Sequence, residues 1–270
     1  RISARAGLRA LAQAHDAGVT WYDVAPAYGA GQAEELLGQF LAGRARDSVQ
    51  LCTKVGLVPP RHGPLARALC SLLTPIVSSS APLRRALRRT GATANRALAL
   101  TPATILESVE RSLKRLGTDH VDVLALHNAQ LPDLRRGDLH ETLSRLIASG
   151  KIRAAAVAGS GGVALEALRR DLPLSILQFP TTEAEAPAVL AEAHRAGRGC
   201  VTHSVFGIAG AAVDGLARRL RQRPALAAAL GAQGLQPRHP GLAVDQAQGV
   251  LDVPGAGRGL DSALAEDLAR

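Results

Sequence analysis

The run WYDVAPAYG, residues 21 to 29, decides how the rest of the chain is read. Trp21, Tyr22 and Asp23 read as a short apolar strand that ends on a carboxylate, and Pro26 and Gly29 mark a turn that brings Tyr28 alongside. Two further strand-like runs also end on polar residues: QLCTK reaches Lys54 and VDVLALHN reaches His127. In a barrel of parallel strands such ends converge on one mouth, where that architecture keeps its chemistry. The pattern therefore predicts that Asp23, Tyr28, Lys54 and His127 meet.

Helical segments flank these strands. Residues 3 to 17 carry Ala6, Leu8, Leu11 and Ala14 at helical spacing and stop at Gly18, and residues 32 to 41 place Leu36, Leu37 and Phe40 on one face. Thr101 and Pro102 supply the cap and first residue of a helix running through Leu106, Val109, Leu113 and Leu116 to Gly117. VDVLAL is apolar almost throughout, as expected of a strand covered on both faces. Further helices are expected at 139 to 148, 163 to 170 and 185 to 196, alternating with strands at 152 to 157, LSILQF and GCVTHS. Helical segments up to Leu230, a loop, a strand VLDV, a PGAGRG turn and a helix from Leu260 follow.

This alternation predicts right-handed parallel crossovers and a single α/β domain over residues 1 to 270, a parallel (β/α)8 TIM barrel. Seven strands are counted, at Trp21, Leu51, Val121, Ile152, Ser175, Cys200 and Val250, where a closed barrel uses eight. A helix opens the chain, so the uncounted strand is expected to be the first, missing from this sequence. The chain contains no Met, so its N-terminus is expected not to be the original one. Residues 56 to 100 form a long excursion of loop and helical pieces, expected as a flap over the mouth or else a disordered insertion.

Aromatic residues are 2% of the chain, which leaves the core to Leu, Ala, Val and Ile. The net charge of +9 comes largely from arginines spread through helical segments, apart from the pair of runs in LRRALRR, with Lys54, Lys114 and Lys151 the only lysines. That dispersion is read as solvated helix faces; a nucleic-acid partner would ask for a basic stripe and stacking aromatics. Cys52, Cys70 and Cys200 are odd in number and lack metal-ligand spacing, as expected of reduced thiols in a cytoplasmic protein without a metal site. No apolar run reaches the roughly 18 residues of a membrane span.

Each of the four polar residues has an ordinary reading alone: a turn cap, a rim tyrosine, a snorkelling lysine, a satisfied buried imidazole. Together they make a chemical set. An ammonium beside a phenol favours its loss of a proton, a carboxylate keeps the ammonium charged and placed, and a neutral imidazole orients a carbonyl oxygen. That set protonates a carbonyl while hydride arrives from elsewhere.

The chain resembles the aldo-keto reductase family. GVTWYDVAPAYGAGQAEELLGQFL resembles the family's opening motif, in which an Asp and a Tyr lie five positions apart and a helix ending in a Leu-Gly pair follows. LCTKVG, SVERSLKRLGTDHVDVLALHN and GKIRAAAV resemble the strands and helix that follow. The resemblance implies that Tyr28 is the general acid, Lys54 its modulator, Asp23 the partner of Lys54 and His127 the substrate-orienting group. It also implies a nicotinamide cofactor, NADPH with NADH as the other candidate, and a small aldehyde, ketone or alcohol as substrate. Gln178 matches the glutamine that holds the nicotinamide amide. His203 stands where many members stack a tyrosine, and Ser204, Phe206 and Gly207 lie in the turn that cradles the ring and pyrophosphate. Arg258 is the side chain expected at the 2′-phosphate. Where the family has Ser-Asn against the carboxamide, this chain has Ala158 and Gly159, with Ser160 the possible substitute. These departures leave a second reading, a nucleotide-binding regulatory subunit of the same fold without turnover.

Overall fold

A computed structural model of the chain describes residues 3–59, 95–170 and 172–204. Among them, six strands form one parallel sheet, each paired with the next in chain order. They are β1 (Trp21–Asp23), β2 (Gln50–Val55), β5 (Val121–His127), β6 (Ile152–Ala158), β7 (Ile176–Pro180) and β8 (Gly199–His203). The helices are α1 (Ala4–Asp16), α2 (Gln32–Leu41), α3 (Pro102–Leu116), α4 (Gly137–Ala148), α5 (Gly161–Arg169) and α6 (Ala186–Arg195). The fold is that of a parallel α/β barrel, and six of the seven strands expected from sequence lie in this arc. The expected strand at Val250 and the helical segments after Ser204 lie outside the described residues.

Local chemistry explains the element boundaries. Ser3 Oγ accepts from the Ala6 amide at 3.2 Å to start α1, and Thr101 Oγ1 accepts from the Thr104 amide at 3.2 Å to start α3. Gly117 ends α3 in the left-handed conformation at φ 66°. Gly38 lets α2 lie directly on α3: a Cβ there would stand 2.4 Å from the Arg115 carbonyl oxygen.

Side chains alternate across the sheet and make two cores. On the helix side, Leu51, Val55, Leu124, Leu126, Val157, Leu177 and Phe179 pack with Leu37, Ile105, Leu113, Leu139 and Val189. On the opposite side, Cys52, Val123, Ala125, Ala156 and Ala158 cluster with Trp21, Ala154 and Ile176. These are the odd or even partners of the first set, so they line the inside of the barrel arc.

Two local expectations change. The buried face of α2 is Glu34, Leu37, Phe40 and Leu41, with Leu36 only half-buried. Glu34 is fully buried because its carboxylate accepts from the Thr53 hydroxyl at 2.7 Å and from Arg115 Nε at 2.7 Å. The excursion after β2 begins and ends in an antiparallel ladder, β3 (Leu57–Val58) with β4 (Arg96–Ala97), where loop was expected. A two-residue strand carries too little periodicity to be read locally. Residues 60 to 94, with the expected flap and Cys70, lie outside the described residues.

The N-terminal rim of the sheet is held by Asp122 on β5. Its carboxylate accepts from the Leu51 amide at 2.8 Å, from Arg46 at 2.7 Å and from Arg153 at 2.9 Å, linking β2, β5 and β6. Burial works to raise the Asp122 pKa, and the Leu51 amide and the two guanidinium groups outweigh it and hold it low. The opposite rim carries the polar strand ends.

Candidate active site

Parallel strands put all their C-terminal ends on one rim. Asp23 closes β1, Lys54 is the penultimate residue of β2, His127 closes β5, Ala158 closes β6 and His203 closes β8. The register sets Lys54 beside Ala125 and His127 beside Ala158, and Ala158 beside Gln178. All of these have the parity of the inner core, so their side chains enter the barrel.

Lys54 and Asp23 form a buried ion pair between Nζ and Oδ1, with side chains 2% and 4% exposed. Burial works to lower the Lys54 pKa, but the charge and hydrogen bond of the Asp23 carboxylate outweigh it, so the ammonium titrates above an ordinary lysine. Cys52, one layer deeper on β2, is pushed well up by burial and by the Asp23 charge, and so remains a thiol. The Lys54 ammonium also lies 5.2 Å from the centre of the Tyr28 ring, within cation–π range.

Tyr28 begins a one-turn helix, Tyr28–Gly31, whose next three residues are left-handed: Gly29 at φ 59°, Ala30 at 58° and Gly31 at 92°. This turn folds the ring back over the strand ends. Tyr28 meets His127 edge to face, with ring centres 6.0 Å apart and planes at 85°. The structure thus brings Asp23, Tyr28, Lys54 and His127 to one rim.

His127 is not a satisfied core histidine. Its Nδ1 is buried with no hydrogen-bond partner among the described residues. Burial, then the Lys54 and His203 charges, lowers its pKa to about 4, so the ring is neutral at neutral pH. The unfolded chain binds this proton near 6.5 and the folded one resists it, so stability is intact above 6.5 and falls as the pH drops toward about 4. His127→Gln is expected to lose less stability than the wild type between about pH 7 and about pH 4 in paired denaturant titrations. Equal losses would show that the imidazole stays accessible to protons.

Gly56 sets how closely β2 passes β5. It sits at φ 125°, and a Cβ there would lie 2.4 Å from the His127 carbonyl oxygen. Gly56→Ala is expected to cost about 2–3 kcal/mol, from backbone strain and forced separation of the strand ends. A thermal melt reads this directly, and an unchanged midpoint would refute the close packing.

Gln178 donates from Nε2 to Asp23 Oδ2 at 2.6 Å. His203 is half-buried, its pKa lowered by burial and by Lys54, and its Nδ1 lies 3.0 Å from Ser204 Oγ. Ser160, the candidate substitute beside Ala158 and Gly159, caps α5 by accepting from the Val163 amide at 3.4 Å. The first amide of that helix donates to Glu183 at 2.5 Å. Phe206, Gly207 and Arg258 lie outside the described residues. No group of three metal-binding side chains occurs among the described residues, and no described helix is long and apolar enough to cross a membrane.

Sequence reading missed Glu34 and the Gln178 to Asp23 bond. Glu34 had a signal: it shares a helical face with Leu37 and Leu41 at spacings of three and seven. The cross-barrel bond had none, since its partners are 155 positions apart.

The Aldo/keto reductase family profile matches residues 1–214. The chain is 31% identical over 177 residues to aldo-keto reductase YhdN of Bacillus subtilis, covering 65% of this chain and 44% of that protein. It is 32% identical over 207 residues to D-threo-aldose 1-dehydrogenase of a Pseudomonas species, covering 73% and 58%. The chain thus spans about half the length of these curated relatives. An aldo/keto reductase from Klebsiella pneumoniae, solved with NADP and acetate, superposes with a TM-score of 0.59 at 23% identity, covering 86% of this chain and 67% of that one.

Proposed function

We propose, from the premise that this chain belongs to the aldo/keto reductase family, that it interconverts an aldehyde or ketone and its alcohol with a nicotinamide cofactor. The single observation that carries this is the shared rim of Tyr28, the Asp23–Lys54 pair and His127. The similarity to a D-threo-aldose 1-dehydrogenase supports a sugar among the candidate substrates.

The rim suits such a cofactor in its donor set. Gln178 offers an amide and His203 a flat ring on neighbouring strands beside the ion pair, with Ser204 next in the chain. When bound, a nicotinamide dinucleotide supplies or accepts the hydride. Every other part of the reaction falls to the chain. Tyr28 releases its phenolic proton to the substrate oxygen, and the Lys54 ammonium stabilises the phenolate left behind. Asp23 keeps that ammonium charged and in place. Neutral His127 orients the substrate oxygen by hydrogen bonding, a role its low pKa preserves across the neutral range. Arg258 remains the expected partner of a 2′-phosphate, which favours NADPH over NADH.

The test is loss of reduced-nicotinamide absorbance with NADPH and NADH against a panel of aldehydes, ketones and sugars. Turnover with at least one carbonyl is expected. Nucleotide binding without turnover of any carbonyl or alcohol would favour the regulatory-subunit reading instead.

A further inference from the structure

We propose that Gln178 is a positioning residue for the Asp23–Lys54 pair, holding one carboxylate oxygen across the barrel so that the other stays on the ammonium. This rests on the oxidoreductase reading of the rim. In the sheet, β1 and β7 are separated by β2, β5 and β6, so the 2.6 Å bond from Gln178 Nε2 to Asp23 Oδ2 crosses the barrel interior. It joins elements that share no ladder.

The two ends of that bond differ in how firmly they are held. Gln178 is 3% exposed, and its strand is registered on both sides, by Ala158 to Gln178 and Gln178 to Val201. Its backbone carbonyl oxygen also accepts from the Gly159 backbone amide at 3.0 Å. Asp23, by contrast, ends a three-residue strand that pairs only with β2 among the described residues. The rigid partner therefore restrains the less supported one.

The chemistry fixes the direction of the restraint. An ionised carboxylate only accepts, so the amide must turn its NH2 end toward Asp23. With Lys54 on Oδ1 and Gln178 on Oδ2, rotation of the carboxylate breaks one contact or the other. Loss of Gln178 frees that rotation and leaves the buried ammonium less firmly held.

The chain has only three lysines, and Lys114 and Lys151 are not buried, so lysine-labelled protein gives a simple spectrum. In ligand-free wild type at neutral pH, the Lys54 ammonium protons are expected to exchange slowly enough to be seen. Gln178→Met removes both polar ends at similar length, and Gln178→Asn keeps the polarity but shortens the reach. Both are expected to speed Lys54 ammonium exchange by about tenfold or more while backbone amide exchange in β2 stays as in wild type. Turnover should fall by about 10²-fold. Should Gln178→Met fail to fold, Gln178→Asn reads the same signal. Unchanged Lys54 exchange in a folded variant overturns the proposal, and so does acceleration in step with the β2 amides, which marks general loosening. Because exchange is read without cofactor or substrate, a wild type that turns over no carbonyl sinks the oxidoreductase reading and leaves the positioning result separately readable.

Discussion

Tyr28→Phe is expected to lower kcat by about 10²–10⁴-fold, the usual contribution of a positioned proton donor, while binding cofactor as tightly as wild type. Phenylalanine keeps the ring that meets His127 edge to face and lies within reach of the Lys54 ammonium, so the packing of the rim is preserved. Only the hydroxyl goes, and with it the proton that the substrate oxygen needs. The sole tryptophan, Trp21, lies on the inner face of β1, two residues from Asp23, and its fluorescence can report cofactor binding in the same samples. Loss of turnover with unchanged binding identifies a chemical role. Wild-type turnover in the variant would remove Tyr28 from the reaction and with it the proposed mechanism.

Asp23→Ala is expected to cost about 3–5 kcal/mol, because it strands a buried ammonium without its counter-charge. Lys54 is 2% exposed, so water cannot take over, and Gln178 loses its acceptor as well. For a chain of this size that corresponds to a fall of roughly 10 °C in Tm. The double variant Asp23→Ala with Lys54→Met distinguishes this cause from simple cavity formation. With both charges gone the desolvation penalty disappears, so the double variant should be more stable than Asp23→Ala alone, though inactive. A double variant less stable than the single would show that the pair is not the source of the loss.

Much of the fold was legible because its signals are local. The α2 boundaries are as read, and α1 and α3 differ by a residue or two; for α1 and α3 the signals are a serine or threonine cap and a nearby glycine, which act within a few residues. The six strands were legible from apolar runs, and β5 most of all, because a strand covered on both faces is apolar almost throughout; its one interior charge, Asp122, is satisfied by Leu51, Arg46 and Arg153. Less was legible where an element is too short to show a period, as with the β3–β4 ladder, or where a charged residue sits on an apolar face, as with Glu34. Glu34 is tolerated there only because Thr53 and Arg115, from two other elements, satisfy its carboxylate.

The same division runs through the candidate site. By itself the sequence determined which residues end the strands, that Asp23, Lys54 and His127 share a rim, and that Tyr28 follows in the adjoining turn. Parallel pairing makes that a matter of strand direction and parity alone. Tertiary structure decided which atoms meet: Lys54 on one oxygen of Asp23 and Gln178 on the other, Tyr28 edge-on to His127, and the His127 Nδ1 without a partner among the described residues. The Lys54 contact joins neighbouring strands, but the Gln178 contact crosses the barrel and the Tyr28 contact joins a turn to β5, so these two depend on sheet curvature and register, which no short stretch of chain encodes.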